Sequence, residues 1–210
     1  MLEFMVNLQQ TKQGALIMFN KTKEVPNIIV LGGINMDLIA TVSKFPTPGE
    51  SIVGKRFFIT PGGKGANQAV GVAKLGANVR MIGRVGNDTF GPVLLENLES
   101  SGVDIQGIYQ DKNNSSGVAI ILVDLKGENQ IVVVRGANMI CGESELQKTK
   151  QVLEDANALM LQLEIPSQVS ISAAKFAKEK GIPVILDPAP AQYLSQEILN
   201  NVDILTPNQT

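Results

Sequence analysis

NIIVLGG, residues 27–33, is a short apolar run that ends in two glycines. A continuous run of this kind is typical of a strand buried on both faces of a parallel sheet, whereas a strand with one wet face alternates apolar and polar residues. A sheet therefore begins here. The fold class follows from whether helical segments separate this strand from further strands of the same type.

Helical and extended segments alternate after this first strand. From 66 to 75 small and apolar residues recur at helical spacing and end at Gly76, and an apolar run follows at 79–82. The same alternation predicts helices that begin near Pro92 and span 143–155, 167–180 and 195–200, and strands at 158–163, 183–186 and 203–205. We therefore predict an α/β fold with a doubly wound, mostly parallel sheet and helices on both faces.

Two stretches break this alternation, at 37–60 and 117–135. The second has two β-rich runs around Lys126-Gly127 and predicts a β-hairpin. Antiparallel pieces inserted in such a chain usually lie outside the main sheet, so the two stretches are candidates for a small β-sheet lid. The predicted domain organisation is an extension at 1–25, poorly ordered, and one incomplete αβα domain at 26–210 that carries the lid.

The composition excludes several classes of site. With no histidine and with Cys141 as its single cysteine, the chain of 210 residues cannot form an internal disulfide, a His/Cys zinc site or a Ser-His-Asp triad. A net charge of -2 and the lack of a Lys/Arg run disfavour nucleic acid and anionic membranes as partners. Residues 1–24 resemble neither a membrane span nor a secretory signal, so we expect a cytoplasmic protein.

Acids and amides follow the ends of several predicted strands. Asn35 and Asp37 follow the first strand, and Glu164, Asp187 and Asn208 follow later ones. Because the carboxyl ends of parallel strands share one edge of the sheet, these side chains should converge there. Asn35 and Asp37 leave an extended chain on the same face and suit neighbouring hydroxyls of a polyol. Ordinary turn or cap residues are the alternative interpretation, above all for Asp187.

A glycine-rich segment, PGGKGANQ at 61–68, leads directly into the first predicted helix. Its glycines allow close approach of the backbone, and the free N–H groups at the helix start face a ligand. Gly65 stands where a Walker A motif has Ser or Thr, and LGGIN at 31–35 is not a dinucleotide fingerprint. The segment therefore indicates a binding loop of another type, with a flexible glycine turn as the alternative.

These segments together resemble the ribokinase-like family of carbohydrate kinases. The motifs that carry the resemblance run from about Pro26 to Thr210 and are GGINMD at 32–37, FPTPGE at 45–50, GGKGANQA at 62–69, LE at 163–164, DPAP at 187–190 and TPN at 206–208. The resemblance implies an αβα domain with a β-sheet lid that often forms a homodimer interface. It also implies phosphorylation of the ribose 5-hydroxyl by ATP, with Mg2+ and a monovalent cation such as K+.

Carried over by matching position, the resemblance assigns ribose contacts to six residues: Asn35, Asp37, Gly63, Lys64, Asn67 and Glu164. Asn208 would lie towards the nucleotide phosphates. The loop Gly-Gly-Lys-Gly-Ala-Asn-Gln is more specific than the motifs of the family at large, because members acting on fructose or adenosine usually carry other residues there. Ribose or a closely related deoxyribose is therefore the favoured substrate.

The chain also departs from the family pattern. The family's Gly-Ala-Gly-Asp loop, which supplies the catalytic base, would lie beyond Thr210, and Gln209 stands where many members have Glu. We therefore assign no catalytic or metal-binding residue, and we expect the chain to carry mainly the sugar-binding half and to be inactive alone. A non-catalytic sugar-binding module remains open, as does a deoxyribokinase or nucleoside kinase within the enzyme class.

Overall fold

The computed structural model describes residues 25–208. Its strands are β1 (Asn27–Leu31), β2 (Asn35–Thr41), β3 (Arg56–Gly62), β4 (Asn78–Gly86), β5 (Val103–Asp111), β6 (Gly117–Val123), β7 (Asn129–Val134), β8 (Ala158–Leu161), β9 (Val184–Leu186) and β10 (Ile204–Leu205). Its α-helices are α1 (Lys64–Lys74), α2 (Phe90–Ser100), α3 (Glu143–Val152), α4 (Ser167–Glu179) and α5 (Gln196–Leu199). Short 3-10 turns cover Gly136–Ile140 and Leu153–Asp155. None of the helices in the described part is long and apolar enough to cross a membrane.

The larger of two sheets has six strands in the order β10-β9-β8-β1-β4-β5, and every neighbouring pair is parallel. The chain builds outward from β1 to β4 and β5, then returns to the other side of β1 with β8, β9 and β10. The strand order therefore reverses beside β1. In open α/β sheets this switch point opens a crevice at the carboxyl ends of the strands, where ligands bind.

The predicted burial of the first strand on both faces is confirmed. Ile29 and Leu31 pack in one buried apolar cluster with α4 and β8, and Ile28 and Val30 pack in the other with α1 and β4. Each of these four side chains is at most 8% exposed. Helices on both faces explain why the strand contains no alternation of polar residues, and the α/β fold class is confirmed with it.

The second sheet, which we call the small sheet, has four strands in the order β3-β2-β6-β7. The hairpin predicted around Lys126-Gly127 is present, with β6 and β7 antiparallel and Gly127 at φ 81° in the turn. β2 and β3 are also antiparallel, but β2 pairs with β6 in parallel, so the sheet is mixed. The two chain excursions thus join side by side into a single sheet.

Several element boundaries differ from the sequence prediction. The sequence predicts no strand at β5, because its apolar residues are interrupted by polar ones and by Gly107, and it lies at the edge of the sheet with β4 as its one described neighbour. α1 begins at Lys64, directly after Gly63, so the predicted binding loop is a sharp strand-to-helix junction. The predicted extension at 1–25 lies, apart from Val25, outside the described residues.

Asp88 connects the small sheet to helix α2. One carboxylate oxygen accepts the backbone N–H groups of Phe90 and Gly91, at 3.0 and 2.9 Å, and so caps the start of α2. The same carboxylate accepts the backbone N–H of Ser116 at 2.7 Å and its hydroxyl at 2.8 Å. Ser116 immediately precedes β6, and we call this start of β6 the root of the small sheet. The Asp88 side chain therefore connects the root of the small sheet to helix α2.

Candidate active site

The candidate site lies at the carboxyl ends of β1 and β8, where the strand order of the large sheet reverses. Asn35 opens β2 shortly after β1 ends, and Glu164 follows the end of β8 in the same way. The start of α1 meets both. The fold thus brings together three segments that are about 30 to 130 residues apart in the sequence.

Glu164 is the centre of this cluster. One of its carboxylate oxygens accepts the backbone N–H of Lys64 at 2.7 Å, and the other faces the Asn35 side-chain nitrogen at 3.3 Å. Lys64 is the first residue of α1, so the carboxylate satisfies a free N–H group at the positive end of the helix. A residue distant in sequence therefore takes the place of a local helix cap.

Glycines allow these groups to approach so closely. A Cβ atom on Gly33 would lie 2.5 Å from the Glu164 carboxylate, and one on Gly63 would lie 2.6 Å from the backbone nitrogen of Asn35. Gly63 also has φ 91°, which side chains of L-residues rarely adopt. Contacts with the polar cluster therefore determine the conformation of the GGKG segment. This argues against the alternative of a flexible glycine turn.

Asp37 lies on the small sheet next to this cluster, half-buried against Gly62. A Cβ atom on Gly62 would overlap the Asp37 carboxylate, so the backbone of β3 packs directly against it. Burial raises the pKa of Asp37 above its ordinary value of 3.8. The carboxylate has lost much of its hydration on folding, so a ligand that donates hydrogen bonds would stabilise it.

Burial also raises the pKa of Glu164 above its ordinary value of 4.5, and the Asp37 charge adds to this effect. The Lys64 backbone N–H, the Lys64 ammonium and the more distant Arg135 guanidinium act in the opposite direction. Two carboxylates in one partly desolvated site repel each other, so both are stabilised by a ligand that donates hydrogen bonds.

Lys64 and Asn67 extend the site along α1. The Lys64 ammonium lies 3.8 Å from the carboxylate of Asp187, and both side chains are partly exposed. Asn67 is three residues further along the helix, so it lies on the same face one turn later, and it is exposed. Asp187, for which a simple turn residue is the alternative interpretation, is thus connected to the cluster through an ion pair.

Asn208 follows β10, and β10 is three strand spacings from β1, or about 14 Å at roughly 4.8 Å per strand. Its side chain is exposed. Within residues 25–208 no group of three or more His, Cys, Asp or Glu side chains could hold a metal ion.

The sequence interpretation missed one member of the site, Asn138. This residue is 1% exposed, and its side chain accepts the Ile34 backbone N–H at 2.9 Å and donates to the Ile34 carbonyl at 3.0 Å. It also donates to the Asn35 side-chain oxygen at 2.8 Å. Asn138 lies on a 3-10 turn, 103 residues from Asn35, where no periodicity or motif spacing marks it.

The described geometry places strand ends, a glycine junction and a helix start around one polar cluster. The model of the pfkB family of carbohydrate kinases matches residues 25–210. The chain belongs to this family. The match covers both sheets as well as the polar cluster at the carboxyl ends of the strands.

Individual relatives within the family are similar over most of the chain. A ribokinase of Bacillus subtilis is 40% identical over 183 residues, which are 87% of this chain and 62% of the relative. A deoxyribokinase of Salmonella typhi is 36% identical over 185 residues, 88% of this chain and 60% of the relative. The solved structure of Arabidopsis thaliana ribokinase, complexed with ribose and ATP, has a TM-score of 0.76 and 33% identity over 88% of this chain and 60% of its own. The chain thus spans about 60% of the length of the pfkB relatives that it matches.

Proposed function

We propose that this pfkB-family chain binds D-ribose and contributes the sugar-binding part of an enzyme that phosphorylates ribose at O5 with ATP. The observation that carries the proposal is the Glu164 carboxylate, which bridges Asn35 and the start of α1 beside Asp37. Such a cluster of partly desolvated acceptors suits a ligand with several hydroxyl groups. The 40% identity to a ribokinase supports the same substrate.

The described side chains divide into acceptors and donors for a pentose. Asp37 and Glu164 accept hydroxyl hydrogens, and charge-assisted bonds of this kind are the stronger class. The Asn35 nitrogen donates to Glu164, and the Lys64 ammonium adds a cationic donor. Backbone at Gly63 and the side chain of Asn67 complete the proposed ribose contacts.

Phosphoryl transfer requires the attacking hydroxyl to be held in line with the phosphate and a base to receive its proton. In our proposal the described residues perform the first task, by fixing and orienting ribose so that O5 faces the nucleotide. Asn208 would contact the phosphate side of ATP. Mg2+ and a monovalent cation are proposed for the whole enzyme, and no step here depends on residues 25–208 binding them.

Titration of the chain with ribose, followed by calorimetry, tests the proposal. Lys64→Met is the sharpest variant, because it removes the ammonium while the backbone N–H still binds Glu164. We expect about tenfold weaker ribose binding, which corresponds to the loss of one charge-assisted hydrogen bond. Lys74→Met, at the exposed end of the same helix, is the matched control and should leave the affinity unchanged. A native chain that shows no heat with millimolar ribose would refute the proposed sugar site.

A deoxyribokinase is the second candidate, because a relative of that activity is 36% identical over 88% of this chain. The two candidates are separated by the affinities for ribose and 2-deoxyribose. A site built to bind the 2-hydroxyl discriminates strongly against its absence, since a buried polar group would be left without a partner. Equal affinities would favour the deoxyribokinase. Ribose binding without phosphorylation in the whole protein would instead indicate a non-catalytic module.

The small sheet is proposed to act as a lid over the sugar and as a homodimer surface, in a cytoplasmic protein. Its apolar side chains support the second role, because Phe57, Ile59 and Val132 are 61, 54 and 62% exposed. Contiguous apolar surface of this kind usually marks an interaction site. The Asp37 carboxylate supports the first role, since it belongs to the small sheet and its charge raises the pKa of Glu164, which follows β8 of the large sheet.

A further inference from the structure

Asn138 has a side-chain orientation that the backbone dictates. Its oxygen lies 2.9 Å from the backbone nitrogen of Ile34, and its nitrogen lies 3.0 Å from the Ile34 carbonyl oxygen. A backbone N–H can only donate and a carbonyl can only accept. The reversed carboxamide would therefore oppose donor to donor and acceptor to acceptor, and the orientation found is the single one that satisfies both backbone groups.

This orientation determines that of Asn35. The Asn138 nitrogen also lies 2.8 Å from the Asn35 side-chain oxygen, so Asn35 must offer an acceptor on that side. Its own nitrogen is then directed to the other side, towards the Glu164 carboxylate at 3.3 Å. Both amides are at most 2% exposed, so water cannot replace a misdirected hydrogen bond.

The neighbouring backbone packs closely against both amide side chains. A Cβ atom on Gly117, the first residue of β6, would overlap both the Asn35 oxygen and the Asn138 nitrogen. Gly117 is directly opposite Asn35 in the parallel pairing of β2 with β6. The amide pair is therefore enclosed by the root of the small sheet, and each polar atom of the Asn138 side chain is used within the described residues.

We propose that Asn138 is a positioning residue that holds the Asn35 carboxamide with its nitrogen towards Glu164, and so fixes which atoms of the site donate and which accept. Asn138 thereby acts on the proposed sugar site through Asn35. This role rests on the proposed function, while the hydrogen-bond network itself is measurable without any sugar. In this arrangement, hydrogen bonds connect the Ile34 backbone, Asn138, Asn35 and Glu164 in that order.

A double-mutant cycle between Asn138 and Glu164 tests the proposal. Glu164→Gln places an N–H group opposite the Asn35 nitrogen, because the oxygen of the new carboxamide is retained by the Lys64 backbone N–H. In the native background Asn35 cannot turn to accept it, so we expect the equilibrium constant of unfolding to rise about tenfold. In the Asn138→Ala background Asn35 is free to turn its oxygen towards the introduced carboxamide, so the same substitution should cost only about twofold.

Urea unfolding of the four proteins measures this coupling, and ribose titration of the same four tests the role in binding. Asn201→Ala removes a partly exposed asparagine side chain elsewhere, and its effect should add to that of Glu164→Gln without coupling. Additive unfolding effects for Asn138 and Glu164 would overturn the proposal. Coupled unfolding in a chain that binds no ribose would retain the network and refute the proposed function instead.

A measurement on the native chain covers the case in which Asn138→Ala does not fold. In the proposed orientation the Asn35 side-chain NH2 protons lie close to the Glu164 side chain, and they should show nuclear Overhauser effects to its methylene protons. The reversed carboxamide would place these protons against the Asn138 side chain. Overhauser effects to Asn138 in place of Glu164 would overturn the inference.

Discussion

β1 and β7 are built from similar residues but have opposite surroundings. Ile28 to Leu31 of β1 are at most 8% exposed, whereas the four residues from Ile131 to Val134 of β7 are 45 to 62% exposed. Both segments are rich in β-branched residues, which explains why both are strands. The difference arises from their neighbours, because helices cover both faces of the large sheet at β1.

The two sheets therefore have different parts in the molecule. The large sheet buries apolar area on both faces and provides most of the stability, since hydrophobic stabilisation scales with the apolar area removed from water. The small sheet leaves much of its apolar surface in contact with solvent, and its polar residue Asp37 lies beside the candidate sugar site. Substitutions in the buried part of the large sheet should accordingly change stability, whereas substitution of Asp37 in the small sheet should change ligand binding.

Leu161→Ala and Ile131→Ala remove similar side chains from the two sheets and should give the largest contrast. Leu161 is 0% exposed within the apolar core, so its truncation should lower the free energy of unfolding by about 3 kcal/mol. Ile131 is 51% exposed, and its truncation should cost under about 1 kcal/mol. Urea denaturation of each variant measures both values. Equal losses would mean that the small sheet shares the core's role in stability.

Asp37→Ala should weaken binding without lowering stability. The loss of a charge-assisted acceptor should reduce ribose affinity about 10- to 100-fold. Burial raises the pKa of Asp37, so the folded state disfavours its charge, and the free energy of unfolding at neutral pH should stay equal or rise.

Calorimetric titration and urea denaturation measure the two effects of Asp37→Ala separately. Glu128→Ala, an exposed acid on the hairpin of the same sheet, is the matched control for both. A clear loss of stability with unchanged ribose affinity would assign Asp37 to the structure of the small sheet and remove it from the site.

Glu164 follows β8 of the large sheet and interacts with Asp37 of the small one, and it should make stability depend on pH. Because burial raises its pKa above 4.5, the folded chain keeps a proton that the unfolded chain has released. The free energy of unfolding therefore falls as the pH rises from about 4.5 through the raised pKa. Glu164→Gln replaces the carboxyl group with an amide that does not titrate, so the free energy of unfolding should depend less on pH. Identical slopes for the two proteins in urea titrations across this range would show that Glu164 titrates alike in both states.

Val132→Lys should have the smallest effect on stability and a clear effect on association. The Val132 side chain is 62% exposed, so the substitution should change the free energy of unfolding by no more than about 0.5 kcal/mol. If the small sheet is a dimer surface, the added charge should disfavour association. Sedimentation velocity of the native and substituted chains at several concentrations checks this. Identical sedimentation coefficients for the two chains at every concentration would argue against a dimer through this face.

The parallel strands could be predicted from sequence wherever burial on both faces left an uninterrupted apolar run, as in β1, β8 and β9. β5 could not, because an edge strand mixes polar and apolar residues and Gly107 breaks its pattern further. The hairpin of β6 and β7 was predictable from its turn. The parallel pairing of β2 with β6 was not, because it joins segments about 80 residues apart and depends on how the chain returns.

The candidate site was predictable where its residues follow strands, because the carboxyl ends of parallel strands must converge. This rule accounts for Asn35, Asp37 and Glu164. It did not indicate that β10, the strand before Asn208, is three strand spacings from β1, since the local sequence does not determine the strand order. Asn138 was missed for a different reason: it contacts Asn35 through tertiary packing alone, and its 3-10 turn carries no periodic signal.

The hydrogen bonds of Asp88 couple the opening of the small sheet to that of helix α2. Its carboxylate accepts hydrogen bonds from the first turn of α2 and from Ser116 at the root of the small sheet. A local opening that detaches the small sheet must therefore also release the amides of Phe90 and Gly91. In hydrogen–deuterium exchange these amides and that of Ser116 should lose protection together, as one cooperative unit that links the start of β6 to a helix some 25 positions earlier in the chain.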